Sequence, residues 1–543
     1  MNAIARVVTA VALALLGLIA WSDRGLSQGA GAIAWSPCGA RLQCGTVRVP
    51  LDYAAPGDRQ IEIAVARQVA RDPARRIGAL LTNPGGPGAS GVDFVRGWAA
   101  ALAPEVQDRF DIVGFDPRGI GRSTPALQCH DQIQQLVAQD PNPATPAAWA
   151  EVQRTMRAFA DLCAARAGDL LPHLGSLDVV RDMDRIREAL DEDRVSYFGY
   201  SYGTVLGALY ADQFPERLRA VVLDGPVAFG RSADDLALTQ AVGFERELER
   251  YLEDCRAKRC ALAAGNADPR AAIDSLLARS RERPIPAASA DRPAGPGETL
   301  LAMVSALYGP WSWPALTRAV QQGLDGDGSG LIRLADRYLD RSGNGYPNSF
   351  EMNAALNCVD YAYNRDPAHY VALAAEFARE APHFGPSNAT GTLICAYWAA
   401  PPKPIGIPRA TGAPPLLVVA ATHDPATPLA WALDVRRELA SAVLLKREGD
   451  GHTSYASGNA CVDGAVNRYL VGLAVPEDGA VCGTEIAPRA PSEPPSTRSP
   501  AGADAPAYAG RGVPFAAVLL VAIGCVVVIV VVVSVRRGGR ESL

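Results

Sequence analysis

Short β-branched runs recur along the chain, and most are followed by a longer segment with apolar residues at helical spacing. The runs predict strands over 60–69, 77–82, 110–115, 195–200, 220–223, 416–420 and 442–446. The longer segments predict helices over 177–190, 202–213, 429–439 and 460–473. Alternation of this kind implies an α/β fold, a mostly parallel sheet with helices on both faces. It breaks once, over 226–408, where only helical segments and loops can be read. An insertion there, between the sixth and seventh strands, is expected to form a largely helical lid. The core then falls into an N-terminal part, 33–225, and a C-terminal part, 409–485.

The hydropathy pattern at the two ends is different. Arg6 precedes an apolar run over 7–21, then small and polar residues up to Ala30-Gly31-Ala32. That order predicts a signal peptide over 1–32, with an uncleaved N-terminal anchor as the alternative. Residues 514–535 are almost wholly apolar and long enough to cross a bilayer as a helix. Arg536, Arg537 and Arg540 follow, which places the tail 536–543 in the cytoplasm. The Pro/Ala/Ser-rich stretch 486–513 has no apolar periodicity and reads as a semi-extended tether. The expected location is the cell membrane, with the folded part on the extracytoplasmic side.

Composition narrows the options. The chain has 543 residues, 48% of them hydrophobic and 20% charged, with a net charge of −6. No basic run tracks phosphates, so nucleic acid is not an expected partner. Of 11 cysteines, Cys525 lies in the apolar span. The others form sequential neighbours: Cys38/Cys44, Cys129/Cys163, Cys255/Cys260, Cys358/Cys395 and Cys461/Cys482. An even number in an exported domain suggests disulfides, and neighbour pairing is the simplest connectivity. The cysteine spacing fits no metal site, and no cofactor is expected.

Four segments carry chemistry. Gly199-Tyr-Ser201-Tyr-Gly203 matches G-x-S-x-G between a β run, Val195 to Phe198, and a small-residue helix. A serine on such a sharp strand-to-helix turn is exposed as a nucleophile. Asn83-Pro-Gly-Gly-Pro-Gly88 follows another strand, and a tetrahedral intermediate needs two backbone N–H donors. Gly86 and Tyr202 are the candidates for that oxyanion hole. The loop lacks GK[ST] and G-x-G-x-x-G, which argues against nucleotide binding.

Chain order in this fold runs serine, acid, histidine. His452 follows the last predicted strand and is the candidate base, the alternative being a buried structural histidine. Asp424 is the preferred acid, with Asp224 as runner-up; His423 reads as a neighbour that shapes the loop. Asp450 is too close to His452 in sequence to face its ring. Asp116, Arg118 and Arg122 read as bracing for the oxyanion loop.

Together these segments resemble the secreted tripeptidyl aminopeptidases and proline iminopeptidases, a branch of the α/β-hydrolases. The matching elements are Asn83 to Gly88, Gly114-Phe-Asp-Pro-Arg-Gly-Ile-Gly-Arg-Ser123, the Ser201 motif, Leu223-Asp-Gly225, Asp424-Pro-Ala-Thr-Pro and Gly451-His452-Thr. The resemblance implies a serine hydrolase that releases short peptides from a free N-terminus through an acyl-enzyme, without metal or cofactor. Its substrates would be peptides, or esters in the alternative carboxylesterase or lipase reading. A non-catalytic binding protein on the same scaffold is a more remote alternative. Asn83-Pro84 stands where proline iminopeptidases carry histidine, which favours the tripeptidyl branch. An aminopeptidase must also recognise an ammonium, and the candidate carboxylates are Glu245 and Glu247, or Glu351 and Asp360.

Overall fold

The computed structural model describes residues 31–343 and 345–484. The predicted tether, membrane helix and tail, and all but the last two residues of the leader, lie outside them. Among the described residues no helix is long and apolar enough to cross a membrane.

The strands are β1 (Ser36–Gly39), β2 (Leu42–Pro50), β3 (Gln60–Gln68), β4 (Gly78–Asn83), β5 (Phe110–Phe115), β6 (Val195–Tyr200), β7 (Leu218–Asp224), β8 (Leu416–His423), β9 (Ala442–Asp450) and β10 (Ala480–Cys482). They form one ten-stranded sheet in the order β1-β2-β3-β5-β4-β6-β7-β8-β9-β10. From β5 to β10 every pairing is parallel; β1, β2 and β3 add an antiparallel edge. The expected α/β-hydrolase fold is therefore present.

The pleat sends alternate residues to opposite faces. Leu81, Val113, Tyr197, Val221 and Val418 enter one core, and Leu80, Ile112, Phe198, Val222 and Val419 enter the other. The helices Ser176–Ala189 and Gly203–Gln213 cover the first face with Val180, Met183, Ile186, Val205 and Leu209. The helices Gly91–Trp98 and Ala460–Gly472 cover the second with Val92, Val95, Val462 and Val466. Since both faces are covered, β4 and β5 are buried along their whole length.

Between β7 and β8 the chain is helical, from Ala233–Ala257 to Ile394–Tyr397. This segment has a separate apolar cluster, around Phe244, Leu248, Tyr251, Met303, Leu316 and Val320. The insertion follows β7 and not a sixth strand: five of the strands read from the sequence precede it, and β1 and β2 were not predicted. A second excursion was also not predicted. Between β5 and Ser176–Ala189 lie the helices Ile133–Ala138 and Pro146–Ala167, and Val152 of the latter packs on Tyr370, Leu373 and Phe377 of the insertion.

All five neighbouring cysteine pairs are bonded as expected: Cys38–Cys44, Cys129–Cys163, Cys255–Cys260, Cys358–Cys395 and Cys461–Cys482. The last ties the helix Ala460–Gly472 to β10 beside the histidine loop.

Candidate active site

Strand β6 ends in a turn that puts Ser201 at φ 53°, left-handed geometry that costs a non-glycine residue about 1–3 kcal/mol. The surroundings hold it there. The Ser201 N–H donates to Asp224 O at 2.8 Å, and Thr204 N–H donates to Ser201 O at 2.9 Å. Gly203 makes the turn sterically accessible: a Cβ there would lie 2.6 Å from Asn83 O. The turn is therefore packed directly against the Asn83–Gly88 loop. Gly85, at φ 92°, comes equally close, since its Cβ would stand 2.6 Å from Tyr200 O and 3.1 Å from Tyr202 N. Its own N–H is taken by Asn83 Oδ1 at 2.9 Å, which leaves Gly86 as the loop's candidate donor. Gly86, Ser201 and Tyr202 all line one cavity.

Strand β8 delivers Asp424 and the loop after β9 delivers His452. Both carboxylate oxygens of Asp424 lie 2.9 Å from His452 Nδ1. Asp424 Oδ1 also accepts from the N–H of Ala426 (2.9 Å) and Thr427 (2.8 Å), and Oδ2 from Thr453 N–H at 3.2 Å. The acid is thus fixed by backbone donors and fixes the ring in turn. Sequence reasoning missed a further support. Tyr308, in the insertion, accepts the His452 N–H at 2.9 Å and sets its ring edge-to-face with the imidazole, centroids 5.4 Å apart. The base is therefore held by the core and the insertion together.

Burial opposes the charged form of His452, but the charge and hydrogen bond of Asp424 outweigh it, so its pKa is raised above the ordinary 6.5. A general base acts in the neutral state, so the acid limb of kcat/KM is expected above pH 6.5. A pH–rate profile checks this, and a limb below 6.5 contradicts it. The sign for stability is opposite. Protonated His452 stabilises the fold fully below the unfolded-state pKa, and that contribution is lost as pH rises through the folded one.

The runner-up acid has another task. Asp224 is fully buried, and its carboxylate accepts from Ser454 N–H at 3.1 and 3.0 Å and from Tyr455 N–H at 2.7 Å. Burial pushes it up to about 6. It ties the histidine loop to the end of β7. His423 Nδ1 lies 2.9 Å from Asp450 Oδ1 on the exposed side, and Arg250 Nε lies 2.7 Å from the same oxygen. Asp116 holds the start of the helix Gly91–Trp98 and its own loop, by accepting from Ser90 Oγ (2.6 Å), Val92 N–H (3.0 Å) and Arg122 N–H (2.8 Å). Arg118 acts elsewhere: it forms a buried two-point pair with Asp182 at 2.8 and 2.7 Å and donates to the carbonyls of Pro50, Leu51 and His173.

The candidate ammonium-binding carboxylates need correction. The cavity over Ser201 has a volume of about 450 Å³, and Glu245, Glu247, Glu351 and Asp360 are not among its lining residues. Each is already engaged. Glu245 bonds His383 Nδ1 at 2.6 Å and its N–H at 3.0 Å. Glu247 accepts from Arg250 at 2.9 and 3.1 Å, and burial pushes it up to about 8. Glu351 accepts from Cys129 N–H at 3.3 Å and lies 3.5 Å from His130. Asp360 accepts from Ser176 N–H at 2.8 Å, from the Ser176 hydroxyl, and from Tyr202 OH at 3.3 Å. Asp360 therefore steadies the side chain of Tyr202, whose N–H is a candidate oxyanion donor. The cavity walls are mainly apolar, with Leu136, Val152, Leu236, Phe244, Leu300 and Trp431 among them. Among the described residues, no group of His, Cys, Asp and Glu side chains could hold a metal ion.

Comparison with known proteins identifies relatives of this chain. Residues 78–276 match the family described as alpha/beta hydrolase fold, and residues 381–482 the family described as TAP-like protein. Serine protease Hip1 of Mycobacterium tuberculosis is 35% identical over 479 residues, covering 83% of this chain and 91% of that one. Carboxylesterase B of the same species is 37% identical over 458 residues, covering 81% and 86%. The tripeptidyl aminopeptidase of Streptomyces lividans is 32% identical over 480 residues, covering 84% and 88%.

Proposed function

Because this chain belongs to the TAP-like family of α/β-hydrolases and is a serine hydrolase of the peptidase kind, we propose that it releases short peptides from free N-termini with Ser201 as nucleophile. The observation that carries this reading is a cavity of about 450 Å³ over Ser201, walled by the sheet loops on one side and the helical insertion on the other. A cavity of that size takes a ligand of a few residues, whereas an internal cut needs a groove that the chain can cross.

In the reaction, His452 takes the Ser201 hydroxyl proton as Oγ attacks the scissile carbonyl carbon. The new oxyanion receives the N–H groups of Gly86 and Tyr202, and each such donor contributes about 3–4 kcal/mol to the transition state. Asp424 keeps the imidazole in one tautomer and stabilises the imidazolium. When the C–N bond breaks, His452 returns its proton to the leaving amine, and the N-terminal fragment stays esterified to Ser201. Water then attacks the ester by the same route in reverse.

The location belongs to the same proposal. Five disulfides support an oxidising compartment. The apolar run 514–535, followed by Arg536, Arg537 and Arg540, supports a membrane anchor with the enzyme outside.

One observation favours a second reading, a carboxylesterase: the cavity is mainly apolar and lacks the four carboxylates expected at an ammonium site. The test compares a free-amine tripeptide anilide, its N-acetylated twin and a short-chain ester, using the purified full-length protein. The peptidase reading expects turnover of the free-amine anilide well above its acetylated twin. Preference for the ester, with indifference to acetylation, selects the carboxylesterase.

A further inference from the structure

Among the described residues that line the cavity, one side chain carries a formal charge, Asp140. It lies in the unpredicted excursion, two residues past the end of the helix Ile133–Ala138, and Leu136, Val137, Gln139 and Pro141 line the cavity beside it. No lysine, arginine, glutamate or histidine shares those walls. The rest of the lining is aliphatic, aromatic, small or uncharged polar, the last including Gln240, Asn353, Asn357 and Asn388.

The Asp140 carboxylate is held in place but not saturated. Oδ1 accepts from Asn142 N–H at 3.0 Å, which closes a local turn and fixes the side chain's direction. Arg281 Nε is its cationic neighbour, 3.4 Å from each oxygen. That separation exceeds the roughly 2.7–2.9 Å of a formed charge-assisted bond. An ionised carboxylate offers about four acceptor positions, so room remains for a second cation. The side chain is 27% exposed. An ion pair made there is partly desolvated and stronger than one on open surface.

We infer that Asp140 is the anion that receives the substrate's N-terminal ammonium, and that the peptides admitted carry apolar or uncharged side chains in the residues released. This rests on the exopeptidase reading and gives that reading its missing carboxylate. Because the charge sits on the cavity wall, the cavity measures how far a peptide enters before its amine is caught. An acidic side chain inside the cavity would meet Asp140 with no lysine or arginine among the described lining residues to pair with it.

The experiment uses the full-length protein and its Asp140→Asn, Asp140→Glu and Arg281→Gln variants. The readouts are kcat and KM on an apolar free-amine tripeptide anilide, on its N-acetylated twin and on a glutamate-containing counterpart. Asp140→Asn is expected to raise KM for the free-amine peptide by about 10- to 100-fold and to bring the free-amine to acetylated ratio of kcat/KM towards one. Asp140→Glu is expected to restore part of that ratio, and Arg281→Gln to leave it within about twofold. The glutamate peptide is expected to be a poor substrate of the parent enzyme and to gain relative to the apolar one in Asp140→Asn. The inference is overturned if Asp140→Asn keeps the parent's selectivity for the free amine, or if Arg281→Gln loses it to the same degree. A parent enzyme that never distinguishes the free amine from its acetylated twin overturns the exopeptidase reading instead, before any variant is compared.

Discussion

Ser201→Ala is expected to lower kcat by about 10⁴-fold or more while leaving the folded state intact. The Cβ and the left-handed φ of 53° are kept, so the turn experiences the same backbone strain in both proteins. The N–H bond to Asp224 O and the Thr204 N–H bond to residue 201 O involve only backbone atoms and survive. What disappears is the atom that forms the acyl-enzyme. Any residual rate would come from the oxyanion donors and from binding, which act on water attack without covalent help. Steady-state kinetics and a melting curve check both halves. Turnover within tenfold of the parent, with an unchanged melting temperature, would remove Ser201 from the mechanism.

The second large effect separates the two candidate acids. Asp424→Asn is expected to lower kcat by about 10⁴-fold and, by leaving a buried donor unsatisfied, to cost about 1–3 kcal/mol of stability. The amide is nearly isosteric, but it leaves only one oxygen for the donors that converge there: His452 Nδ1 and the N–H groups of Ala426, Thr427 and Thr453. Whichever way the amide turns, an NH₂ group faces an N–H, and the imidazole loses its tautomer or its position. Asp224→Asn meets the buried N–H groups of Ser454 and Tyr455 instead. Leaving one unsatisfied costs about 1–3 kcal/mol, which should appear chiefly as a lower melting temperature. Its effect on kcat, through displacement of the histidine loop, should be much smaller than that of Asp424→Asn. The reverse ranking of the two would exchange their roles.

Much of this site was legible because its parts are local. Ser201 sits in a five-residue motif between a strand and a helix, Asp424 directly follows β8, and His452 follows β9. Each could be placed by counting elements, since parallel strands bring their C-terminal ends to one edge of the sheet. The β1–β2 edge was harder to see: β2, LQCGTVRVP, carries a glycine within it and a proline at its end, both poor strand signals. The excursion after β5 was missed because its long helix, Pro146–Ala167, is alanine-rich and buries only a narrow set of residues.

The candidate ammonium-binding carboxylates were misread for a related reason. Glu245, Glu351 and Asp360 all lie in the insertion, where an ammonium-binding carboxylate was expected, yet their partners are remote in sequence. His383 lies 138 residues from Glu245, Cys129 lies 222 from Glu351, and Ser176 lies 184 from Asp360. Asp140 sits in Gln139-Asp-Pro-Asn142, which reads as an ordinary turn. Only the packing of the excursion against the insertion brings it to the cavity wall. Tyr308 was invisible for the same reason, since its contribution to His452 is a backbone carbonyl.

The most direct test of covalent catalysis by Ser201 is to locate the bond itself. The full-length protein is treated with an aryl fluorophosphonate, digested, and the modified peptide is sequenced by mass spectrometry. The expected result is one adduct per chain, on Ser201 in the peptide spanning Gly199 to Gly203, formed far more slowly when His452 is replaced by alanine. An adduct on another serine, or a rate of labelling that does not depend on His452, would contradict the account.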